Sequence, residues 1–401
     1  MKKLTKTDKW NWLLFLLPWA LYTLVTLVLF HRQTVFYNGD YNSDMLPYVR
    51  HMQGIDTGYE FPYPIMFWLG KFFWLFVNPR MAMAFSVTAL NALTVPFLKY
   101  YVDRYIRRFR EWNMKTAVFS TVLTFTMLFV SMLFLDFGPD SIGWRYRGVF
   151  SPNPFHNATY LATRPFTVVC FFMLVDLLET YETEIDKKKY IIFSVFLLLT
   201  TMTKPSFVYG FIIMTAVILL YRTCQKKFRN FKETMLLAVC AVPSLIALLY
   251  QFGGLFTGTN SMGEEAGIGI AFLDAWNLLG KPVGEAILLG LAFPLVVLLL
   301  NLKNLKKEND YRLSVQMLFV NLLMVLFLCE KGYRMKHVNF AWGYMHGMFF
   351  SYILSVLLLF KNTCQKKQPL PLLILQWGMY LWHLVCGVVY FSGVMSGKIF
   401  L

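Results

Sequence analysis

Charged residues are scarce in this chain, since Asp, Glu, Lys and Arg make up only 15% of its 401 residues while 57% are hydrophobic. Soluble domains carry nearer to ~25% charged residues. No stretch between the apolar runs is long enough to form a separate soluble domain. The sequence therefore predicts a single membrane domain over residues 1–401, with an all-α, polytopic fold.

Familiar catalytic and metal-binding signatures are also missing. The chain contains no P-loop, no GxSxG, no HExxH and no zinc-binding pattern, which argues against nucleotide-driven and metalloprotease chemistry. Its six cysteines are scattered and none form a CxxC pair. Neither a disulfide framework nor a cysteine metal site is therefore predicted.

Long apolar runs, by contrast, recur from Trp12 to the C-terminus and predict about eleven spanning helices. The first run is too long for the core of a signal peptide, so it is interpreted as a retained anchor. The stretch 64–77 is apolar but short, and it is predicted to be interfacial or re-entrant. The predicted spans are 11–30, 81–102, 116–135, 164–180, 190–203, 205–221, 234–251, 284–302, 313–329, 340–360 and 370–391.

The distribution of basic residues predicts the orientation. With the N-terminus in the cytoplasm, six short inside segments hold 24 of the 38 Lys and Arg residues, as the positive-inside rule expects. The net charge of +16 then faces the anionic cytoplasmic leaflet, so the lipid bilayer is the predicted partner and nucleic acid is not needed. The small size and the lack of organelle signals suggest a bacterial cytoplasmic membrane.

The first predicted external loop, residues 31–80, is chemically rich. Asp40 and Asp44 flank a turn rich in Gly and Asn, and an apolar helical face follows them. Arg50 and His51 lie off that face, so the segment is predicted to be a short amphipathic helix lying on the membrane. The apolar face comprises Met45, Leu46, Val49 and Met52.

Several cations fall on the external side although topology does not require them there. Binding of an anion is the most economical reason, because a phosphate offers several oxygens to basic side chains. Lys204 is the sharpest case, since residues 190–202 form only about 20 Å of helix against a hydrocarbon core of ~30 Å. Lys204 is therefore predicted to lie recessed, beside the N–H groups of a helix that starts at Pro205. Other external cations include Arg145, Arg147, Arg164 and Arg334.

Together these features resemble the GT-C superfamily of polytopic glycosyltransferases. The segment Asp44-Met45-Leu46-Pro47-Tyr48-Val49-Arg50 is similar to the family's Asp followed six residues later by Arg, and 59–64 is similar to its later aromatic and proline stretch. The likeness covers about the first 100 residues and is architectural beyond them. The family often has two adjacent acids, whereas Ser43 precedes Asp44 here, which leaves open which Asp is catalytic and whether a divalent metal ion takes part.

The resemblance implies an inverting transfer of a sugar from a polyprenyl phosphate or pyrophosphate donor on the extracytoplasmic face. The acceptor would be a glycan, a lipid or a protein. Asp44 is the base candidate, Asp40 is a helper or alternative, and Lys204 is the phosphate-binding candidate. The further substrate-binding candidates are Arg50, Tyr63, Arg145, Asn153, His156, Arg164, Arg334 and His337.

Other interpretations remain at this point. Asp40 and Asp44 are also typical of an exposed turn, and Lys204 could be a snorkelling lysine at the interface. A transporter or flippase of lipid-linked glycans would need broken helices in corresponding positions of two halves, and the sequence indicates one break, at Lys204-Pro205. A polysaccharide polymerase or ligase is chemically close to the transferase.

Overall fold

The computed structural model describes residues 6–35, 43–57, 61–134, 148–255, 267–280 and 282–397. The described chain is all-α apart from one short antiparallel strand pair, which confirms the predicted fold class. Two 3₁₀ turns span Leu302–Lys307 and Gly332–His337. The elements are α1 (Lys6–Gln33), α2 (Met45–Met52), α3 (Ile65–Trp74), α4 (Pro79–Arg107), α5 (Met114–Met127), α6 (Ala158–Thr180), α7 (Lys187–Thr203), α8 (Ser206–Gln225), α9 (Phe231–Val239), α10 (Val242–Leu255), β1 (Ile268–Ile270), α11 (Asp274–Asn277), α12 (Val283–Asn301), α13 (Asn309–Phe327), β2 (Leu328–Glu330), α14 (Ala341–Cys364) and α15 (Leu370–Met395).

Eight helices in the described residues are long and apolar enough to cross a membrane, namely α1, α4, α6, α8, α12, α13, α14 and α15. Helices α9 and α10 meet at a bend of 48° and make a ninth crossing if the pair is one span. The chain is therefore an integral membrane protein, but the predicted count of about eleven spans is not confirmed.

The difference in count comes from short helices inside apolar stretches. The predicted span 116–135 overlaps α5, a helix of 14 residues that ends at Met127, and the predicted span 190–203 corresponds to the 17 residues of α7. The short apolar stretch at 64–77 forms the 10-residue helix α3. Hydropathy over a window cannot detect where a helix stops, because the side chains of a buried helix and of a buried irregular segment are equally apolar.

The chain beyond α5 continues through the protein without helical structure, over residues 128–134, and most of these residues are buried. The Asn153 side-chain amide donates to the carbonyl oxygens of Met127 (3.1 Å) and Val130 (2.8 Å). Irregular backbone is tolerated at membrane depth only where protein or a cavity satisfies its polar groups. Asn153 therefore stabilises the non-helical segment after α5, which the sequence had predicted to be part of a continuous spanning helix.

Helix α12 continues through Pro294, and hydrogen-bonding side chains lie next to this proline. Proline lacks an N–H group and clashes with the carbonyl four residues earlier, here Gly290. The Tyr352 hydroxyl donates to the Gly290 oxygen (2.7 Å), and the Phe293 amide donates to His383 Nε2 (3.3 Å). These bonds satisfy polar groups of the helix next to the proline, as buried polar groups require.

Helices α6 and α14 form the centre of the bundle, and nearly every residue of both is buried. Phe171 of α6 stacks on Phe350 of α14 with ring centroids 4.3 Å apart. Helices α8 and α14 both approach Asn321 of α13 closely, since a Cβ atom at Gly210 or Gly343 would lie within 2.5 Å of its Oδ1. This close approach brings the first turns of α8 and α14 together, where the candidate site lies.

We call the side of the bundle that carries Asp44, Lys204 and Trp342 the Asp44 face, and the other end the opposite face. The described residues near the opposite face form many direct ion pairs between helices. Lys99 and Asp103 of α4 pair in the interior there, joined by Asn11 of α1 and Ser120 of α5. The further pairs are Arg104–Asp176, Arg107–Asp8, Arg108–Asp310, Lys226–Glu182 and Lys361–Glu308.

Candidate functional site

Asp44 immediately precedes α2, where the sequence predicted an amphipathic helix, and the structure has a helix there. The buried side of α2 is formed by Met45, Tyr48, Val49 and Met52, so Tyr48 takes the place expected for Leu46. The Tyr48 hydroxyl donates to Asp44 Oδ2 (3.2 Å). A carboxylate at the first turn of a helix is also favoured by the helix dipole.

Asn157 links Asp44 to Lys204. Its Nδ2 donates to Asp44 Oδ2 (3.0 Å), and its Oδ1 accepts from Lys204 Nζ (2.9 Å). The same Oδ1 caps α6 by accepting from the Tyr160 backbone amide (2.9 Å). Because Lys204 and that amide can only donate, they fix which end of the Asn157 side chain is oxygen, and the –NH₂ group must point at Asp44.

Lys204 lies in the turn between α7 and α8, and only 7% of its surface is exposed. Its ammonium group also donates to Thr159 Oγ1 (3.0 Å) and lies 4.2 Å from the centre of the Trp342 ring. Helix α8 begins at Ser206, so its first N–H groups lie next to the lysine along the chain. This is the arrangement predicted for an anion site at a helix N-terminus.

Burial shifts the pKa values of Asp44 and Lys204 in opposite directions, because it disfavours the charged form of each group. Burial raises the pKa of the Asp44 carboxyl above its ordinary value, and the positive charge of Lys204 partly opposes that rise. Burial lowers the pKa of Lys204 to about 7, and the Asp44 charge opposes that fall. Asp44 nevertheless keeps exposed surface while Lys204 is covered, so the cluster opens to the outside through Asp44. Its Oδ1 accepts no hydrogen bond from the described part of the chain.

Tyrosines and the turn Gly332–His337 complete the surroundings of Asp44. Tyr63 lies near Thr159, and burial, followed by the negative charge of Asp44, raises the pKa of the Tyr63 hydroxyl. His337 of this turn lies near enough to Asp44 to lower the pKa of the Asp44 carboxyl when the imidazole is protonated. Arg334 pairs with Glu330 of β2 (3.0 Å), so the basic turn is tied to the strand pair.

Arg164 and Asn153 lie deeper than the Asp44 cluster. The Arg164 guanidinium is fully buried and donates to Asn153 Oδ1 (2.5 Å), Asn91 Oδ1 (2.7 Å) and the Tyr22 hydroxyl (3.2 Å). Asn153 also holds the irregular segment after α5. Within the described residues these two side chains join helices to one another, and they do not contact Asp44.

The remaining predicted site residues are dispersed. His156 is buried and hydrogen-bonds Tyr390 (3.1 Å), and burial lowers its pKa to about 3, so it is a neutral residue beside the site. Arg50 is exposed on the side of α2 away from its buried row. Asp40 and Arg145, together with Arg147, lie outside the described residues.

Sequence reasoning missed three residues that form the centre of the cluster: Tyr48, Asn157 and Thr159. Asn157-Ala158-Thr159 matches a glycosylation sequon, and the sequon was considered incidental, so these residues were not included in the predicted site. A better signal was the position of Asn157 directly before a long apolar run, where Asn is a preferred N-cap. Nothing in the sequence could indicate that the same amide would reach both Asp44 and Lys204.

The described donor set around Asp44, which does not include Asp40, does not fit a divalent cation. One carboxylate is present among the described neighbours, and the ammonium of Lys204, the amide of Asn157 and the hydroxyl of Tyr48 direct hydrogens into the cluster. No group of three or more His, Cys, Asp or Glu residues is arranged to hold a metal ion in the described ranges. The cluster is suited instead to an anion and a hydroxyl group.

Comparison of the chain with protein-family models, with curated proteins and with solved structures finds no match in any of the three.

Proposed function

We propose that this protein is a membrane glycosyltransferase of GT-C type, which transfers a sugar from a polyprenyl phosphate or pyrophosphate to an acceptor hydroxyl. The reaction would take place at the Asp44 face, which we assign to the extracytoplasmic side of a bacterial cytoplasmic membrane. The observation that carries the proposal is the connection of Asp44 to the buried Lys204 through one side-chain amide, Asn157.

Asp44 and Lys204 suit the two reacting groups, the acceptor hydroxyl and the leaving phosphate. The acceptor oxygen would attack the anomeric carbon of the sugar, and the bond from that carbon to the phosphate oxygen would break. Asp44 would take the proton of the acceptor hydroxyl, since its raised pKa makes it a better base than an ordinary carboxylate. The phosphate would leave with the electron pair of the broken bond.

Lys204 would stabilise that leaving phosphate, with the first N–H groups of α8 beside it. Its ammonium has protein oxygens from Asn157 and Thr159 as its described hydrogen-bond partners, and the face of Trp342 covers it. Phosphate oxygens are stronger acceptors than neutral amide or hydroxyl oxygens, so a bound phosphate would strengthen these interactions. The long spanning helices would place the polyprenyl chain in the bilayer beside the site.

The proposal is tested with purified protein in lipid vesicles supplied with polyprenyl-phosphate sugars and a panel of acceptors. Once transfer is detected, Asp44→Asn should lower its rate by about 10²–10⁴-fold, the usual contribution of a general base. Asp56→Asn is the matched control, because Asp56 is exposed in the same loop and lies outside the cluster. Wild-type transfer by Asp44→Asn would remove Asp44 from the mechanism.

A flippase of lipid-linked glycans is the second candidate, and the structure gives it one observation. Besides the break at Lys204, the chain is interrupted after α5 and bent between α9 and α10. Transporters commonly place discontinuous helices around their substrate. Movement of the lipid-linked sugar across vesicles without any new glycosidic bond would favour this function over transfer.

A polymerase or ligase would use the same site with a longer acceptor or donor. The described residues do not distinguish it from a transferase of single sugars. The length of the product chain, measured in the same vesicle assay, separates the two.

A further inference from the structure

A cavity of about 150 Å³ opens on the opposite face, between the ends of α4, α6, α13 and α14. It is lined mainly by charged residues and by Tyr105. It lies at the other end of the bundle from Asp44. Its volume is about five times the ~30 Å³ that a water molecule occupies in the liquid, which is enough for a small polar head group.

Two pairs of charges in the lining already neutralise one another. Arg108 bonds Asp310 at 2.8 Å, and Lys361 bonds both oxygens of Glu308 at 2.8 Å. Partly buried pairs of this kind join helices and leave no net charge for a ligand. The recognition chemistry of the cavity therefore depends on the groups that remain.

Three lining groups remain outside these pairs: an ammonium, a carboxylate and a phenol hydroxyl. Lys307 and Glu179 both line the cavity, and neither forms an ion pair within the described residues. Glu179 accepts only a long hydrogen bond from Asn309 (3.4 Å). Tyr105 is 6% exposed, and its hydroxyl has no hydrogen-bond partner in the described part of the chain, although a buried hydroxyl normally has one.

The complement of these groups is a molecule with one anionic and one cationic end. Lys307 and the Tyr105 hydroxyl would donate to an anion, and α13 begins at Asn309 beside them, which adds the N–H groups of its first turn. Glu179 would accept from a primary ammonium group. A phosphate joined to an ammonium by a short linker meets both requirements.

We propose that this cavity binds the head group of a phospholipid of the ethanolamine type, with the phosphate at Lys307 and Tyr105 and the ammonium at Glu179. The ends of spanning helices mark the level at which lipid head groups lie, so a head group in this cavity would be at its ordinary depth. A choline head group would bind less well, because its trimethylated nitrogen has no hydrogen to donate to Glu179. This site is independent of the proposed function at the Asp44 face.

The test is native mass spectrometry of the purified full-length protein after exchange into an equimolar mixture of phosphatidylethanolamine, phosphatidylcholine and phosphatidylglycerol. The ethanolamine lipid should be retained about tenfold more than the choline lipid, the factor expected from one charge-assisted hydrogen bond. Tyr105→Phe and Lys307→Gln should each lower retention of the ethanolamine lipid by at least about threefold. Glu179→Gln should remove its preference over phosphatidylglycerol.

Lys303→Gln is the control, since Lys303 is exposed on the same 3₁₀ turn but does not line the cavity. Equal retention of the three lipids would overturn the proposal, as would a preference for phosphatidylglycerol that Glu179→Gln leaves unchanged. A parallel arm uses glycerophosphoethanolamine, which has the head group without acyl chains. Retention of that soluble compound in preference to the lipid would overturn the assignment to a membrane lipid.

Discussion

The charged groups Asp44 and Lys204 are used differently from the ion pairs of the opposite face. On the opposite face, and in the interior next to it, Lys99 pairs directly with Asp103, and further ion pairs join neighbouring helices. At the Asp44 face, the carboxylate of Asp44 and the ammonium of Lys204 are connected through the neutral side chain of Asn157. Direct pairing satisfies both partners, whereas connection through an amide leaves each charge able to gain from a ligand.

This difference explains why a buried charge alone is weak evidence for a site. Lys99 and Lys204 are both buried lysines in a membrane protein, and such residues are often functional. Lys99 has a carboxylate, an amide and a hydroxyl around it, so its environment is complete without a ligand. Among the described residues, Lys204 contacts the neutral side chains of Asn157, Thr159 and Trp342, and burial lowers its pKa.

The largest expected effect comes from breaking the direct pair. Asp103→Asn should destabilise the protein by about 3–5 kcal/mol, because it leaves the Lys99 ammonium buried without a counter-charge. The measurement is equilibrium unfolding in mixed micelles. The control is the double variant Lys99→Met/Asp103→Leu, which should recover most of the lost stability, since apolar side chains of similar size can replace a buried pair. Comparable destabilisation by the double variant would contradict this account of the opposite face.

A smaller effect is expected on ligand binding at the Asp44 face. Lys204→Gln should weaken binding of a polyprenyl phosphate by about 10–100-fold, the range of one hydrogen bond to a charged group. Stability should change less than in Asp103→Asn, because glutamine can still donate to Asn157 or Thr159. Lys71→Gln, an exposed lysine of α3, is the matched control. Unchanged affinity in Lys204→Gln would show that the anion binds elsewhere.

The smallest expected effect is a pH dependence of phosphate affinity, caused by the titration of Lys204. Phosphate binding requires the protonated ammonium, and the pKa of Lys204 is lowered to about 7. Affinity for a polyprenyl phosphate should therefore be greatest below pH 7 and fall by up to about tenfold per pH unit above it. An ordinary lysine would show this loss only near its pKa of about 10.4.

The variant Lys204→Arg provides the comparison for this profile, because a guanidinium stays charged over the whole range. Its affinity should be nearly constant between pH 6 and pH 9, whatever its absolute value. A wild-type profile that is equally constant would mean that Lys204 is not the group that binds the phosphate.

The sequence predicted the elements of the site better than their arrangement. The helix at Met45–Met52 and the helix start after Lys204 were both readable, the first from apolar periodicity and the second from Pro205. Arg164 and Asn153 were predicted to bind substrate, and in the structure they lie deeper than Asp44 and hydrogen-bond to each other. Their residue types indicated polar contacts, and the sequence could not show which partners those contacts would have.

The sequence by itself determined that this is an α-helical membrane protein with an acidic loop before a short amphipathic helix. Those properties depend on composition and on local periodicity, both of which are set by residues close together in the chain. The tertiary structure alone decided that α5 stops at Met127, that Asn157 lies between Asp44 and Lys204, and that Tyr105 faces a cavity between four helix ends. Each of these depends on contacts between residues far apart in the chain, where hydrogen bonding and close packing select among arrangements that are locally equivalent.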